Sequence, residues 1–477
     1  MFRKKMKQKR NVVLAVLSVL AILCFALFVR MNTFWLPHWK GDQGQYLGLA
    51  MKLDIFGFSR YNLRGINFGF VDIGPDKKIK VGFVAPADNP DDTGDLLRIL
   101  HMTGVHYYDQ PFFHKPPGFP YALMVSHKLF ARKGQPYAAV VTNIGRFIGK
   151  IKPRVLLDAQ FYAVIVPLFF SLGLVLCTFF LGKILFSARI GLYAALMMAV
   201  NPVAVMTSQY LLADDMLSFF VTLSAILFIT GIKRKQDLFI LFGGVVCGMA
   251  VLAKQTGGYL LIAVWIFSVL SHTKKLSDVK SLPRIVFNKR FILFSAGVFL
   301  VSGFWFIKIY RIYGHPLWLP EQPVALQNEV RGWSAMLRAR PPGWILYLTG
   351  APYLCPLFAA VFLSLKDFVS EAANMIKKKA CDYRVVLLWI VILTFGYMLR
   401  GGREHRRMLA VYPAVAVLAG YCLDRFRIYS GRFSGLLGNK RFRELVILML
   451  FAVCALWSVP IGVKVALDNR MLLTVPF

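Results

Sequence analysis

Residues 1–29 read MFRKKMKQKR followed by NVVLAVLSVLAILCFALFV. A basic end abuts about nineteen residues, Asn11 to Val29, that are almost all apolar. A helix of roughly 20 such residues crosses the ~30 Å hydrocarbon core of a bilayer. A cleaved signal peptide has a shorter core and ends at small residues. Arg30-Met31-Asn32 offers neither. The segment therefore reads as an uncleaved anchor with its basic end in the cytoplasm.

Working outward, similar runs recur at 155–183, 190–207, 212–232, 238–253, 256–271, 291–310, 344–365, 385–400, 408–424 and 444–463. With 11–30 they predict an all-α polytopic membrane protein of about 11 transmembrane helices. The pair 238–253 and 256–271 is short enough to form a re-entrant unit instead. Composition agrees, since 57% of the 477 residues are hydrophobic, more than a water-facing shell accommodates. Lys and Arg number 57 against 23 acidic residues, a formal charge of +34. In a soluble protein that excess points to nucleic acid. Here the basic residues flank apolar runs, as the positive-inside bias and anionic headgroups require, and no basic domain stands apart. The seven cysteines are scattered, form no C-x-x-C pair and lie, except Cys381, in apolar runs. They read as small hydrophobes between helices rather than as a disulfide framework or a zinc site.

Eleven crossings from a cytoplasmic N-terminus put Lys233-Arg234-Lys235, Lys274 to Arg290, Lys377-Lys378-Lys379 and Arg425 to Arg443 in inner loops, all basic as expected. The organisation is then residues 1–30, basic end and first helix; 31–154, a long outer loop; 155–310, the helices of the core; 311–343, a second outer loop; and 344–477, the C-terminal helices. Within the long loop, Asp42 to Leu53 and Pro117 to Phe130 have the spacing of interfacial helices. Residues 60–105 between them are polar and rich in Asp, Gly and Pro, with alternating apolar positions around Ile79 to Val84, either an ordered insertion or a lid. The outer stretch Leu399 to Arg407 carries Arg400, Arg403, Arg406 and Arg407 against the positive-inside rule. Arginines on the translocated side cost insertion energy, which points to a local anionic partner.

Four further constellations fall on that same face. Trp39-Lys40-Gly41-Asp42-Gln43-Gly44-Gln45-Tyr46 places a carboxylate just after the first span, as a general base or as a helix cap. Tyr107 to Gly118 holds Asp109, His114 and Lys115 ahead of Pro116-Pro117. Consecutive prolines fix a helix start, and a lysine beside it makes an anion site; an ordinary interfacial turn is the plainer alternative. Asp214-Asp215, between two apolar spans, cap a helix, bind a divalent cation or orient an acceptor hydroxyl. Lys254 sits between two short spans, where a cation is expensive unless paired, though it can also snorkel to headgroups. Gly244 and Gly248 before it form a small-xxx-small pattern that reads as helix packing rather than a phosphate loop. An acid and several cations at one interface suggest an enzyme whose substrate carries a hydroxyl and a phosphate at membrane depth.

In order and spacing, Gly41-Asp42, His114-Lys115-Pro116-Pro117, Leu212-Ala213-Asp214-Asp215, Leu252-Ala253-Lys254 and GREHRRMLAVYP (402–413) cover about residues 10–425. They resemble the integral-membrane glycosyltransferases of the C-type fold, in the branch of the protein mannosyltransferases and the lipid A aminoarabinose transferase. The resemblance implies transfer of a sugar, with inversion, from a polyprenyl-phosphate donor to a lipid or glycan acceptor at the periplasmic side of a prokaryotic plasma membrane. Asp42 would be the base. Lys115, Lys254 and one or more of Arg400, Arg403, Arg406 and Arg407 would hold the donor phosphate. His114, Asp109, Asp214 and Asp215 would contact the acceptor or a divalent metal, Mg or Mn. Two features depart from the family pattern: the gap from Asp42 to Lys115 is long, and Gly-Asp-Gln replaces an adjacent acidic pair, which argues against a protein acceptor. The rival functions are a glycan ligase using a lipid-diphosphate donor, and a transporter or flippase of an anionic lipid-linked sugar.

Overall fold

The amino-terminal apolar run folds as one helix, α1 (Phe2–Met31). The computed structural model describes residues 2–31, 46, 49–50, 53–54, 57–61, 71–73, 79–81, 115–131, 153–208, 210–272, 288–313, 386, 388–394, 396, 405–430, 439, 441–442, 444–446, 448–449 and 452. After α1 come α2 (Gly118–Phe130), α3 (Pro153–Leu185), α4 (Ala188–Ala199), α5 (Pro202–Thr207), α6 (Asp214–Arg234), α7 (Asp237–Ala253), α8 (Tyr259–His272), α9 (Lys289–Tyr313) and α10 (Tyr412–Ser430). Among them α1, α3, α6 and α9 are long and apolar enough to cross a membrane, and α4, α7 and residues 255–269 are shorter apolar helices. The chain is an integral membrane protein.

The expected spans at 155–183, 212–232, 238–253 and 291–310 are continuous helices, and 256–271 is a 3-10 turn (Gln255–Gly258) running into α8. Two others are interrupted. The span at 190–207 breaks into α4 and α5, because the Asn201 side chain accepts the backbone N–H of Val203 at 2.9 Å and of Ala204 at 3.1 Å, with Pro202 opening the new helix. An asparagine cap followed by proline starts a helix, so the preceding one must end. The span at 408–424 begins as a 3-10 helix (His405–Ala410) that turns at Val411 into α10. The spans at 385–400 and 444–463 are described only in part, with helical residues, and the span at 344–365 lies outside the described residues. Residues 60–105 contribute an antiparallel hairpin, β1 (Val71–Ile73) against β2 (Ile79–Val81), with Val71 opposite Val81. Among the described residues this adds a short β element to helices.

Close backbone contact builds the core. A Cβ on Gly244 would run into the Phe294 carbonyl oxygen, and one on Gly297 into the Leu241 oxygen, so α7 and α9 touch through glycines. Gly248 against Val298 continues the seam. In lipid, helices associate by such packing rather than by hydrophobic drive, which accounts for the small-xxx-small pattern. Phe228 of α6 closes the layer, with its ring edge-on to Phe267 of α8 and Phe294 of α9.

The two ends of α6 differ in charge. Asp214 and Asp215 open it, while Lys233 and Arg234 close it before the left-handed Lys235. Each sign sits where the helix dipole favours it. Lys233 also donates to the Ile184 carbonyl at 2.7 Å, capping α3. By contrast α1 is only 17% buried over its apolar window, and its buried residues Ala26, Val29 and Arg30 cluster at the far end.

Candidate functional site

At the end of the bundle where α6 starts, chain segments far apart in sequence converge. Helix α7 stops at Ala253 because Lys254 is extended (φ −159°, ψ 131°). The Lys254 main chain stays tied on both sides: its N–H donates to Ala250 at 2.9 Å and its carbonyl accepts from Gly257 at 2.8 Å. A Cβ on Gly257 would sit 2.6 Å from the Ala250 carbonyl carbon, so glycine lets the chain fold back so tightly. From this fixed point the Lys254 ammonium reaches Asp214 Oδ1 at 2.7 Å. The lysine expected to need a partner has one, and the carboxylate is almost wholly buried.

Asp215, 0% exposed, takes a different direction. Consecutive helical residues are about 100° apart around the axis, so the two acids meet different neighbours. The electrostatic partner of Asp215 is Arg30, and the hydroxyls of Thr207 and Ser171 lie alongside. Those hydroxyls donate to backbone oxygens, Thr207 to Val203 at 2.9 Å and Ser171 to Ala204 at 3.5 Å. Neither oxygen of Asp215 has a hydrogen-bond partner among the described residues.

Arg30 is the residue that sequence reasoning missed. It is 1% exposed. Its Nε donates to Ser171 Oγ at 3.0 Å, Nη1 to the carbonyls of Ala26 at 3.1 Å and Ala199 at 2.9 Å, and Nη2 to Met198 at 3.3 Å. Met198 and Ala199 end α4, where carbonyls lack helical partners, so the guanidinium caps that helix. Read along the chain, Arg30 is only the polar flank of an anchor. The available signal was its position one turn after Ala26, on the face that the helix buries.

Lys115 is 7% exposed, and its ammonium lies 5.1 Å from the centre of the Tyr46 ring, a cation–π contact. Tyr46 in turn packs edge-on against Phe119 at 5.0 Å. The Lys115 carbonyl accepts the Tyr61 hydroxyl at 2.8 Å. Tyr61, itself buried, stacks edge-on to Trp305 of α9. Burial first, and the neighbouring Tyr46 second, push the Tyr61 phenol well above its ordinary ionisation range, so it remains a donor. The Lys115 segment lies directly on the approach to Lys254: a Cβ on Gly118 would meet the Leu252 oxygen at 2.7 Å. The 3-10 helix His405–Ala410, which carries half-buried Arg406, packs against α5 and α6.

The structure thus gathers Lys115, Lys254, Asp214 and Asp215 with the Arg406 segment, and adds Arg30. Asp42, Asp109, His114, Arg400 and Arg403 lie outside the described residues, and of Arg407 only the backbone is described. Of the two acids, Asp214 is engaged by Lys254, and Asp215 has Arg30 as its electrostatic partner. Among the described residues no group of three metal-type ligands forms. The arrangement joins Lys254 to Asp214 and sets Arg30 by Asp215, with the Lys115 segment packed against the end of α7 and the 3-10 helix of Arg406 against α6.

A family model for dolichyl-phosphate-mannose-protein mannosyltransferases matches residues 157–315, a stretch that contains Asp214, Asp215 and Lys254. An uncharacterised protein of Aquifex aeolicus is 22% identical over 244 residues, 50% of this chain and 44% of that protein. Among solved structures, the archaeal oligosaccharyltransferase AglB from Archaeoglobus fulgidus, in complex with an inhibitory peptide and a dolichol-phosphate, has a TM-score of 0.53 at 12% identity. That match covers 96% of this chain and 56% of AglB. Apo ArnT from Cupriavidus metallidurans has a TM-score of 0.50 at 12% identity, covering 98% of this chain and 76% of ArnT. The chain therefore spans about half the length of AglB and of the Aquifex relative. At such identities the likeness is one of fold, and both solved proteins are C-type glycosyltransferases. The chain has the C-type fold of the integral-membrane glycosyltransferases, with a segment similar to protein mannosyltransferases at residues 157–315.

Proposed function

We propose that the protein is a glycosyltransferase that moves a sugar from a polyprenyl-phosphate donor to a hydroxyl of a lipid or glycan acceptor, at the outer face of a prokaryotic plasma membrane. The observation that carries this reading is the convergence of the Lys115 element on the Lys254–Asp214 pair, with Gly118 seated against Leu252. The C-type fold and the dolichol-phosphate in the AglB complex support a lipid-linked donor. In the reaction the acceptor oxygen attacks the anomeric carbon from the face opposite the phosphate. The bond from that carbon to the phosphate oxygen breaks, its electron pair stays on the phosphate, and the acceptor proton passes to Asp42. Lys115, Lys254 and the arginines among Arg400, Arg403, Arg406 and Arg407 stabilise the charge that develops, which preorganised cations do best in a site shielded from water. His114, Asp109, Asp214 and Asp215 are the candidates for contact with the acceptor or a divalent metal.

The test is transfer in liposomes that hold the purified protein, with radiolabelled undecaprenyl-phosphate sugars as donors and envelope lipid extracts as acceptors. Asp42→Asn is expected to lower turnover by about 10²–10⁴-fold, the range for a lost general base, while donor binding persists. Full transfer by that variant removes Asp42 from its role. Movement of the labelled lipid between leaflets with no transfer in any variant identifies a flippase instead.

A further inference from the structure

We propose that Asp214 is a positioning residue for the leaving phosphate: it holds Lys254 at rest and yields it as the phosphate gains its second charge. The inference rests on the donor-phosphate reading above. In the 2.7 Å pair of Lys254 with Asp214 the two partners differ in freedom. The Asp214 side chain is 3% exposed in the first turn of α6, and its carbonyl accepts the Ser218 hydroxyl at 2.7 Å. The Lys254 side chain is 27% exposed, on a backbone fixed by Ala250 and Gly257. The part able to move is the ammonium on its four-carbon stem.

A lysine already paired with a carboxylate gains little by turning to another single negative charge. A polyprenyl-phosphate sugar is a phosphodiester and carries one. When the sugar leaves, the electron pair of the broken bond stays on the phosphate oxygen, the acceptor proton goes to the base, and the new glycosidic bond forms. The phosphate is now a monoester with a charge of about −1.5 to −2 at neutral pH. Only then does it outbid Asp214 for the ammonium. An interaction that strengthens along the reaction accelerates the chemical step, whereas one present from the start mainly tightens binding. When the product departs, the buried carboxylate draws Lys254 back, because a buried charge left alone is unfavourable. Asp215 does not stand in for Asp214, since it has Arg30.

The test uses the full chain in nanodiscs with two probes, undecaprenyl phosphate, a monoester, and undecaprenyl methyl phosphate, a diester of single charge, with neutral undecaprenol as control. The wild type is expected to bind the monoester about tenfold more tightly than the diester, a difference of ~1.4 kcal/mol. Asp214→Asn frees Lys254 and tightens the diester, so that the ratio falls toward one. Lys254→Met weakens the monoester while leaving the diester nearly unchanged. The double variant Asp214→Asn/Lys254→Met, which leaves no unpaired charge and serves as the folded reference, shows a ratio near one. A wild-type ratio preserved in Asp214→Asn, or an equal loss of both probes in Lys254→Met, overturns the exchange while leaving a phosphate site in place. Binding of neither phosphate above undecaprenol by the wild type overturns the proposed function and the exchange together.

Discussion

Arg30 and Ala199, separated by 169 positions, are joined by a 2.9 Å hydrogen bond from Nη1 to the backbone oxygen. The same guanidinium reaches Met198 and Ser171 and faces Asp215. Arg30→Met removes these bonds and strands a buried carboxylate, a loss of about 3–5 kcal/mol where one member of a buried pair is deleted. Denaturant unfolding in detergent should show that loss, with Arg30→Met/Asp215→Leu recovering much of it. A single variant as stable as wild type would mean that the pair contributes nothing.

Tyr61 gives a pH dependence. Its phenol holds its proton more firmly in the folded chain than in the unfolded one, because of burial. Below about pH 10, the ordinary tyrosine value, both states are protonated and the contribution is complete. Above it the unfolded state binds fewer protons than the folded state, so stability falls as pH rises. Tyr61→Phe should lower stability by about 1 kcal/mol at neutral pH, through loss of the bond to the Lys115 carbonyl, and should flatten the alkaline decline. Melting curves between pH 8 and 11 measure both; an equally steep decline in the variant assigns the effect elsewhere.

Two glycines separate packing from backbone freedom. Gly244→Ala drives a methyl into the Phe294 carbonyl and must push α7 from α9, whereas a Cβ on Gly258 meets nothing nearer than Val251 Cγ2 at 3.9 Å. Size-exclusion profiles after solubilisation should show Gly244→Ala largely misassembled. Gly258→Ala should elute like the wild type.

Trp389 is fully buried and donates from Nε1 to the Ala410 carbonyl at 3.0 Å. That bond ties the 3-10 helix carrying Arg406 to its surroundings. Trp389→Phe should cost about 1–3 kcal/mol through an unsatisfied buried carbonyl, and should weaken undecaprenyl phosphate binding as well. Loss of stability with unchanged lipid binding would separate the Arg406 segment from the phosphate.

The apolar runs were enough to locate α1, α3, α6, α7, α8 and α9, since only unbroken helices satisfy their backbone in lipid. Pro116-Pro117 marked the start of α2, and the need of Lys254 for a partner followed from its depth. The partner itself did not. Asp214 lies 40 positions earlier, and the pair forms only because α7 crosses its neighbours at the separation that glycines permit. Likewise Asp214 and Asp215 read as one acidic pair, while helical rotation sends them to different cations. Arg30 was hidden for another reason: a basic residue after an apolar run is the ordinary mark of a membrane boundary. Asn201-Pro202 carries the signal of a helix start, hidden by a run that is apolar on either side.

The fastening of α1 by its last turn bears on how the protein is made. A ribosome adding ~5–20 residues per second needs roughly 8–34 s to go from Arg30 to Ala199. During that interval the guanidinium has no carbonyl of α4 to grip, and must wait at the lipid–water boundary on a helix that little else restrains. The last turn of the earliest helix is thus fastened only once the middle of the chain has emerged.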